Sequence, residues 1–442
     1  MLEAVSRNRT RNYLRQITGA AAYKAVAVVA SFVTIPLMIG YIGQEQFGVW
    51  STLLALMSWM VFFDLGIGNG LRNSVAETLA KDKRSEAARY IASGYSMVGL
   101  MALSLWLLVF LGSYLINWQM VFNTKVISET SLRLTVQIAI SFIVFNFWIG
   151  LIGALLGAVQ RTSLIALGQL ISNVLALALV VVLTQTTDAS ISYLATAYGS
   201  SLVTANVLLS IWFYRQYPEL RPTPCLDKQH VQPLLAVGMQ FFVIQIAVLI
   251  IFTTDKMLIT QLFGPLYVTQ YEVVFKLFSL ITLGHTLITA PLWSAYTDAY
   301  HRGDTVWIGN MLRKQIIVFG GVAIAVLAMV LIARPVIGFW IGPELEVSFQ
   351  LVLALGLLVM ISTWNNIFAM FVNGIGKIKI QLYTAVIAMS INIPLALLFT
   401  KYLGMGLSGI VLATCASLLL AAVALPVQVR HIIRQDAGKG AR

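Results

Sequence analysis

Seven ionisable residues interrupt stretches of the chain that are otherwise apolar and long, and no other groups are so well placed to do chemistry. They are Lys24, Asp64, Asp255, Lys256, Glu272, Lys276 and His285. A charge at the centre of a bilayer costs on the order of 3 kcal/mol on insertion scales, so such groups face a protein interior or a hydrated path. Glu272 and Lys276 are four residues apart and share one helical face, which Ser279 and Thr286 continue. His285 points nearly opposite and reads as a packing histidine. Lys24 and Asp64 fall in the same half of the membrane and can pair. Two readings follow: ion pairs that hold helices together, or groups that handle a charged solute or a coupling ion.

Asp64 lies in VFFDLGIGNGLRN, Val61 to Asn73, where Gly66, Gly68 and Gly70 precede Arg72. A phosphate-cradling dinucleotide loop requires a strand before the glycines and an apolar helix after them. The preceding run, Phe47 to Phe63, is too long for a strand, and the following SVAETLAKDKRSEAARY is strongly charged. The glycines are read instead as loosening the end of a helix or admitting a close neighbour. NGIGKIK, Asn373 to Lys379, lacks the first glycine of a Walker A loop, and there is no HExxH, GxSxG or Cys/His cluster. The sequence therefore carries no enzyme signature, no cofactor motif and no metal site. Cys225 and Cys415 have no plausible disulfide partners.

The elements that hold these residues follow from composition. Of 442 residues, 59% are hydrophobic and only 10% charged, with a mean hydropathy of +0.85. Polar surface this scarce suits a bilayer, where a spanning helix needs roughly 20 apolar residues and must satisfy its own backbone. Twelve spans are expected: 17–41, 47–70, 91–116, 134–158, 164–184, 191–213, 233–262, 267–294, 315–340, 349–373, 380–400 and 406–429. The joins 262–267 and 400–406 are the least marked. Pro36, Pro291 and Pro394 are expected to kink their helices. Trp364, Asn365 and Asn366 are placed either to line a cavity or to bond a neighbouring helix.

Of the 29 basic residues, 22 fall in the tails and loops of one side under this topology. The positive-inside rule makes that side cytoplasmic, with both termini on it. The net charge of +12 is accordingly topological, with an attraction for anionic membrane lipid; it is no nucleic-acid footprint, because no soluble basic domain exists to hold one. The polar segment Arg215 to His230 divides the chain into an N-terminal six-helix lobe (1–214), a cytoplasmic linker (215–232) and a C-terminal six-helix lobe (233–442). GAVQRTSLIALGQLISNVLAL, from Gly157, resembles GKIKIQLYTAVIAMSINIPLAL, from Gly376, and aligns Asn173 with Asn392. Similarity at half-chain spacing is the mark of a duplicated transporter.

Pro36, Gly43, Phe47-Gly48, Asp64-Leu65-Gly66 and Arg72 resemble the opening of the polysaccharide exporters. Asp255-Lys256, Tyr271, Lys276 and Pro291 continue the likeness in the second half. These exporters are the O-antigen and lipid-linked oligosaccharide flippases of the multidrug/oligosaccharidyl-lipid/polysaccharide exporter superfamily. The resemblance implies an all-α polytopic membrane protein of two six-helix lobes around a central cavity, working by alternating access in the bacterial cytoplasmic membrane. It implies an oligosaccharide on undecaprenyl pyrophosphate as substrate, either an O-antigen or an exopolysaccharide repeat unit. Lys24, Arg72, Lys256 and Lys276 are then candidates for the route of the anionic head group. Asp64, Asp255 and Glu272 would tune the lysines or bind a coupling H+ or Na+. Other polysaccharide-assembly proteins are expected partners. The alternatives are a drug/cation antiporter of the same superfamily and a membrane polymerase or glycosyltransferase; the short outer loops disfavour the last.

Overall fold

The computed structural model describes residues 2–59, 66–222, 246, 253–289 and 292–440. Among these residues every regular element is helical. Among the described residues ten helical segments are long and apolar enough to cross a membrane, and the chain is an all-α polytopic membrane protein. The ten coincide with expected spans one, three to six and eight to twelve. Spans two and seven fall partly on 60–65 and on 223–245 and 247–252, outside the described residues.

The chain forms two compact units, Met1–Val243 and Ile244–Arg442. In the first, α1 (Leu2–Ile42), α2 (Gln44–Ser58), α3 (Ile67–Ala80) and α4 (Arg84–Gly112) precede the short α5 (Trp118–Phe122). Then come α6 (Glu129–Ile149), α7 (Ile152–Ala158), α8 (Thr162–Thr186) and α9 (Ile191–Gln216). The second unit contains α10 (residues 253–263), α11 (Pro265–Thr289), α12 (Leu292–His301), α13 (Thr305–Trp340), α14 (Phe349–Gly374), α15 (Lys379–Leu397) and α16 (Gly406–Gly440). Glycine makes the tight junctions: Gly43 and Gly264 adopt φ of 82° and 98° between consecutive helices, a region that costs a residue without Cβ little.

The duplication is visible in matching parts. Ser128 and Ser348 cap α6 and α14, each accepting a hydrogen bond from the backbone N–H three residues on. The short helix α3 packs on α4 and α7, and α12 packs on α13 and α14. Each unit has an apolar core around its short helix. One gathers Ile67, Leu71 and Val75 of α3 with Ile91, Leu155 and Phe213. The other gathers Tyr296 of α12 with Leu312, Phe371 and Val429. Away from these cores the helices present apolar side chains outward, as along Leu100, Leu103, Leu107, Leu108 and Leu111 of α4, the surface a lipid solvent favours.

Two sequence expectations need correction. The second span is not one helix to residue 70, because α2 ends at Ser58 and α3 is a new helix opening after Gly66. Gly66 takes the left-handed conformation, φ 73°, and so starts a helix rather than loosening the end of one. Much of the charged stretch expected to be a loop is α3, whose apolar residues recur at helical spacing and bury against α4 and α7. For the same reason α13 starts at Thr305, ten residues before the expected span nine, with Asp304 accepting a bond from the Trp307 N–H as its cap.

The prolines act through the backbone groups they leave unsatisfied. Pro36 and Pro394 lie inside α1 and α15, and a π-helical turn, Leu398–Tyr402, follows the latter; Pro291 is outside the described residues. Pro426 lies inside α16 and cannot donate to the Ala422 carbonyl four residues back. The Trp364 indole N–H of α14 donates to that carbonyl at 2.9 Å. Asn365 Nδ2 donates to the Leu418 carbonyl at 3.2 Å. Trp364 and Asn365 thus bond helix to helix, the second of the two roles read for them.

Candidate functional site

Four of the seven candidate residues come together in the second unit. Gly264 turns α10 into α11, and Lys256 and Glu272 lie eight residues to either side of it, so an antiparallel hairpin brings them level. At a rise of 1.5 Å per residue each is about 12 Å along its helix from the turn. Lys256 Nζ lies 2.6 Å from Glu272 Oε2, with the two side chains 18% and 20% exposed. Glu272 therefore pairs across the hairpin to Lys256, a partner on another helix to which its four-residue spacing from Lys276 does not point. Lys276 is half-buried one turn further on, close enough to feel both charges. Ser279 donates to the Lys276 carbonyl at 2.6 Å, and Thr286 to the Thr282 carbonyl at 2.8 Å.

Asp255 precedes Lys256 by one residue, a rotation of about 100° on a helix, and faces a different neighbour. It is 1% exposed. Thr414 Oγ1 of α16 lies 3.1 Å from both carboxylate oxygens and donates to them. Asn392 Nδ2 of α15 donates in turn to Thr414 Oγ1 at 3.0 Å. The Asn392-to-Thr414-to-Asp255 chain is wholly buried and ties α10, α15 and α16 at one point. A buried carboxylate with neutral donors on one side needs a proton or a cation to complete its balance. Tyr271, 1% exposed, feels the charges of both Asp255 and Glu272.

The other candidates lie elsewhere. Lys24 is exposed on α1. Its expected partner Asp64 lies outside the described residues. Arg72 is exposed on α3 and runs across α7 at Gly157, where a Cβ would stand 2.9 Å from the Arg72 Nε. His285 is buried, as a packing histidine would be, but its Nε2 has no hydrogen-bond partner among the described residues. No group of three His, Cys, Asp or Glu that could hold a metal occurs among the described residues.

Sequence reasoning missed Thr414, which carries no signal of its own, and it used Asn392 only as a repeat marker. The alignment of Asn173 with Asn392 did hold a structural meaning. Asn173 Nδ2 of α8 donates to the Ala27 carbonyl of α1 at 2.9 Å. In each unit this asparagine therefore bonds outward from the fifth span of its half. Sequence reasoning also missed the Lys256–Glu272 pair, for which the only signal is the equal distance of the two residues from Gly264.

Within each unit basic side chains gather at one end. In the first, Lys81, Lys83 and Arg84 stand at the α3–α4 turn, and Arg84 bridges to Glu219, just beyond α9, at 2.9 Å. There the Lys81 hydrogen bond and charge hold the exposed Glu77 carboxyl below its ordinary range. At the opposite end the Tyr41 hydroxyl of α1 donates to the Asp188 carbonyl, and Thr124 Oγ1 donates to Glu45. In the second unit Lys377 lies over the Tyr300 ring, 5.2 Å from its centroid.

A protein family described as polysaccharide biosynthesis protein matches residues 16–295, and the MatE family matches residues 241–398. A Salmonella typhimurium protein named "Putative O-antigen transporter" is 23% identical over 365 residues, spanning 81% of this chain and 82% of its own. A Yersinia pseudotuberculosis protein named "Putative O-antigen export protein" is 19% identical over 372 residues, covering 82% and 84%. Among solved structures, an inward-facing multidrug resistance MATE family transporter of the MOP superfamily superposes with a TM-score of 0.75 at 14% identity, over 95% of this chain and 96% of its own. A MATE structure in the bent conformation gives 0.64 at 15% identity, over 98% and 97%. These structural likenesses bear on the fold.

Proposed function

The chain belongs to the polysaccharide biosynthesis protein family, and from that premise we propose that it is a flippase for a lipid-linked oligosaccharide. Its substrate is an O-antigen or exopolysaccharide repeat unit on undecaprenyl pyrophosphate, moved across the bacterial cytoplasmic membrane by alternating access. One observation carries the reading: the partly exposed Lys256–Glu272 pair with Lys276 beside it, in a bundle otherwise built of apolar helices. An ion pair kept within reach of water inside a membrane can exchange partners, and lysines so placed can take an anionic head group. Lys256 and Lys276 receive the pyrophosphate, Arg72 and Lys24 lie on its route, and Glu272 releases Lys256 when the anion arrives. The buried Asp255, bonded through Thr414 to Asn392, takes the coupling H+ or Na+. Asp64 is assigned to charge pairing near Lys24. The names of the curated relatives support the substrate class.

Deletion of the chromosomal copy is expected to strand the lipid-linked glycan on the cytoplasmic leaflet while its synthesis continues. The reading fails if the glycan in the deletion strain reaches the outer leaflet at the normal level. A drug/cation antiporter is the second reading, and the MatE match over 241–398 favours it. It is recognised by hypersensitivity to cationic dyes with normal glycan export.

Both termini and the basic loops lie in the cytoplasm in this account. Cysteine placed at position 83 should then be labelled only after permeabilisation, and cysteine at position 125 in intact spheroplasts; both native residues are exposed. The reverse pattern would invert the topology.

A further inference from the structure

A pocket of about 430 Å³ opens at the basic end of the first unit, between the C-terminal ends of α6 and α9 and the turn that follows α9. This volume is within the range of small-ligand sites. Its wall is apolar along the helices, from Ile149, Val207 and Ile211, and cationic at the rim, from Arg215 and Arg221. Both arginines are exposed, and neither forms an ion pair among the described residues. Glu219, two residues from Arg221, is already engaged by Arg84 at 2.9 Å. Arg221 Nε donates to the Tyr214 carbonyl at 3.3 Å, which fixes its stem and leaves the rest of the guanidinium free to bind. The helix α9, long and apolar enough to span a membrane, ends at Gln216, so the rim lies at the end of a candidate span. Ile211 is 44% exposed and continues the pocket along an outward face with Leu208.

We propose that this pocket binds an anionic phospholipid of the cytoplasmic leaflet. The phosphate would sit between Arg215 and Arg221, and the first part of one acyl chain would lie against Ile149, Val207 and Ile211. A guanidinium pair matches a phosphate in charge and geometry, and an apolar wall running into the bilayer matches a chain that stays in it. A soluble phosphate would use the first feature only. The site is separate from the second-unit cluster, and its occupant is bulk membrane lipid.

The test is native mass spectrometry of the full-length protein in mild detergent, titrated with phosphatidylglycerol and, separately, phosphatidylethanolamine. Each arginine near an anionic surface adds to the attraction, so Arg215→Gln/Arg221→Gln is expected to weaken phosphatidylglycerol binding by about tenfold or more. Phosphatidylethanolamine binding should be unchanged. Arg215→Lys/Arg221→Lys should keep most of the preference. Val207→Trp/Ile211→Trp, which retains both arginines, should lose phosphatidylglycerol by filling the wall. Arg313→Gln/Lys314→Gln, of equal charge change in the other unit, should leave binding as in the parent. Unchanged phosphatidylglycerol preference in the Arg→Gln pair overturns the proposal. So does displacement of the lipid by millimolar inorganic phosphate with no effect of the tryptophans, since that marks a free-phosphate site.

Discussion

Lys256→Ala should lower the stability of the purified protein by about 3 kcal/mol, because it leaves the Glu272 carboxylate largely buried and without its cross-hairpin partner. The pair is 2.6 Å apart and about four-fifths buried on both sides, so solvent screening removes little of this. Lys256→Ala/Glu272→Ala should recover most of the loss, since a buried ion pair is worth far less as a whole than either orphaned half. Thermal unfolding in detergent, followed across the two single variants and the double variant, measures the coupling. The double variant then separates structure from function. A stable double variant that cannot move glycan assigns the pair to the substrate path, and a stable, fully active one makes it a structural clamp. In the otherwise unaltered protein, Lys276→Arg should retain more transport than Lys276→Ala, because an anionic head group asks first for positive charge.

Asp255→Asn should fold and insert but lose roughly 5- to 150-fold of its transport rate, the range of a typical coupling free energy between two sites. Asparagine preserves the size of the side chain and can still accept from Thr414, so the buried chain to Asn392 persists. What it removes is the charge that a coupling H+ or Na+ would balance. Thr414→Val removes the donor and keeps the carboxylate, and it should change the dependence of transport on the ion more than the maximal rate. Rates measured at fixed membrane potential over a series of Na+ concentrations and pH values check both. An Asp255→Asn variant with the parent's rate and the parent's ion dependence would remove Asp255 from the coupling role.

The two predictions rest on residues that the sequence marked to different degrees. The spans were legible because a bilayer demands long apolar helices, and ten of them stand where hydropathy placed them. Asn173 and Asn392, which the half-chain similarity aligns, both bond across helices, the one to a backbone carbonyl of α1 and the other to a hydroxyl of α16. The join at 262–267 was faint in composition, yet Gly264 fixes a hairpin that sets Lys256 against Glu272. The spacing of Glu272 and Lys276 left the Lys256 partner hidden, because local periodicity is visible in a string and cross-helix register is visible only through the turn. Gly66 misled for the opposite reason. A glycine-rich stretch tells where the backbone is free, and the burial of Ile67, Leu71 and Val75 against α4 and α7 decides that a helix begins there. Thr414 could not have been found, because a threonine in a spanning helix ordinarily bonds to its own backbone. The Ile410 carbonyl does lie within 3.3 Å of Thr414 Oγ1, but the hydroxyl has a single proton, and only the packing of α16 on α10 offers it the closer Asp255 carboxylate at 3.1 Å.

The central claim is that this chain moves a pyrophosphate-linked saccharide from one leaflet to the other. It is tested most directly with the purified protein in liposomes, using a fluorescent short-chain polyprenyl-pyrophosphate oligosaccharide loaded on one leaflet and an impermeant quencher added outside. The account predicts protein-dependent appearance of the saccharide on the opposite leaflet, abolished in Lys256→Ala/Lys276→Ala and accelerated by an H+ or Na+ gradient. Transfer no faster than in protein-free liposomes, with the gradient imposed in either direction and with the protein shown to be folded and inserted, would contradict it.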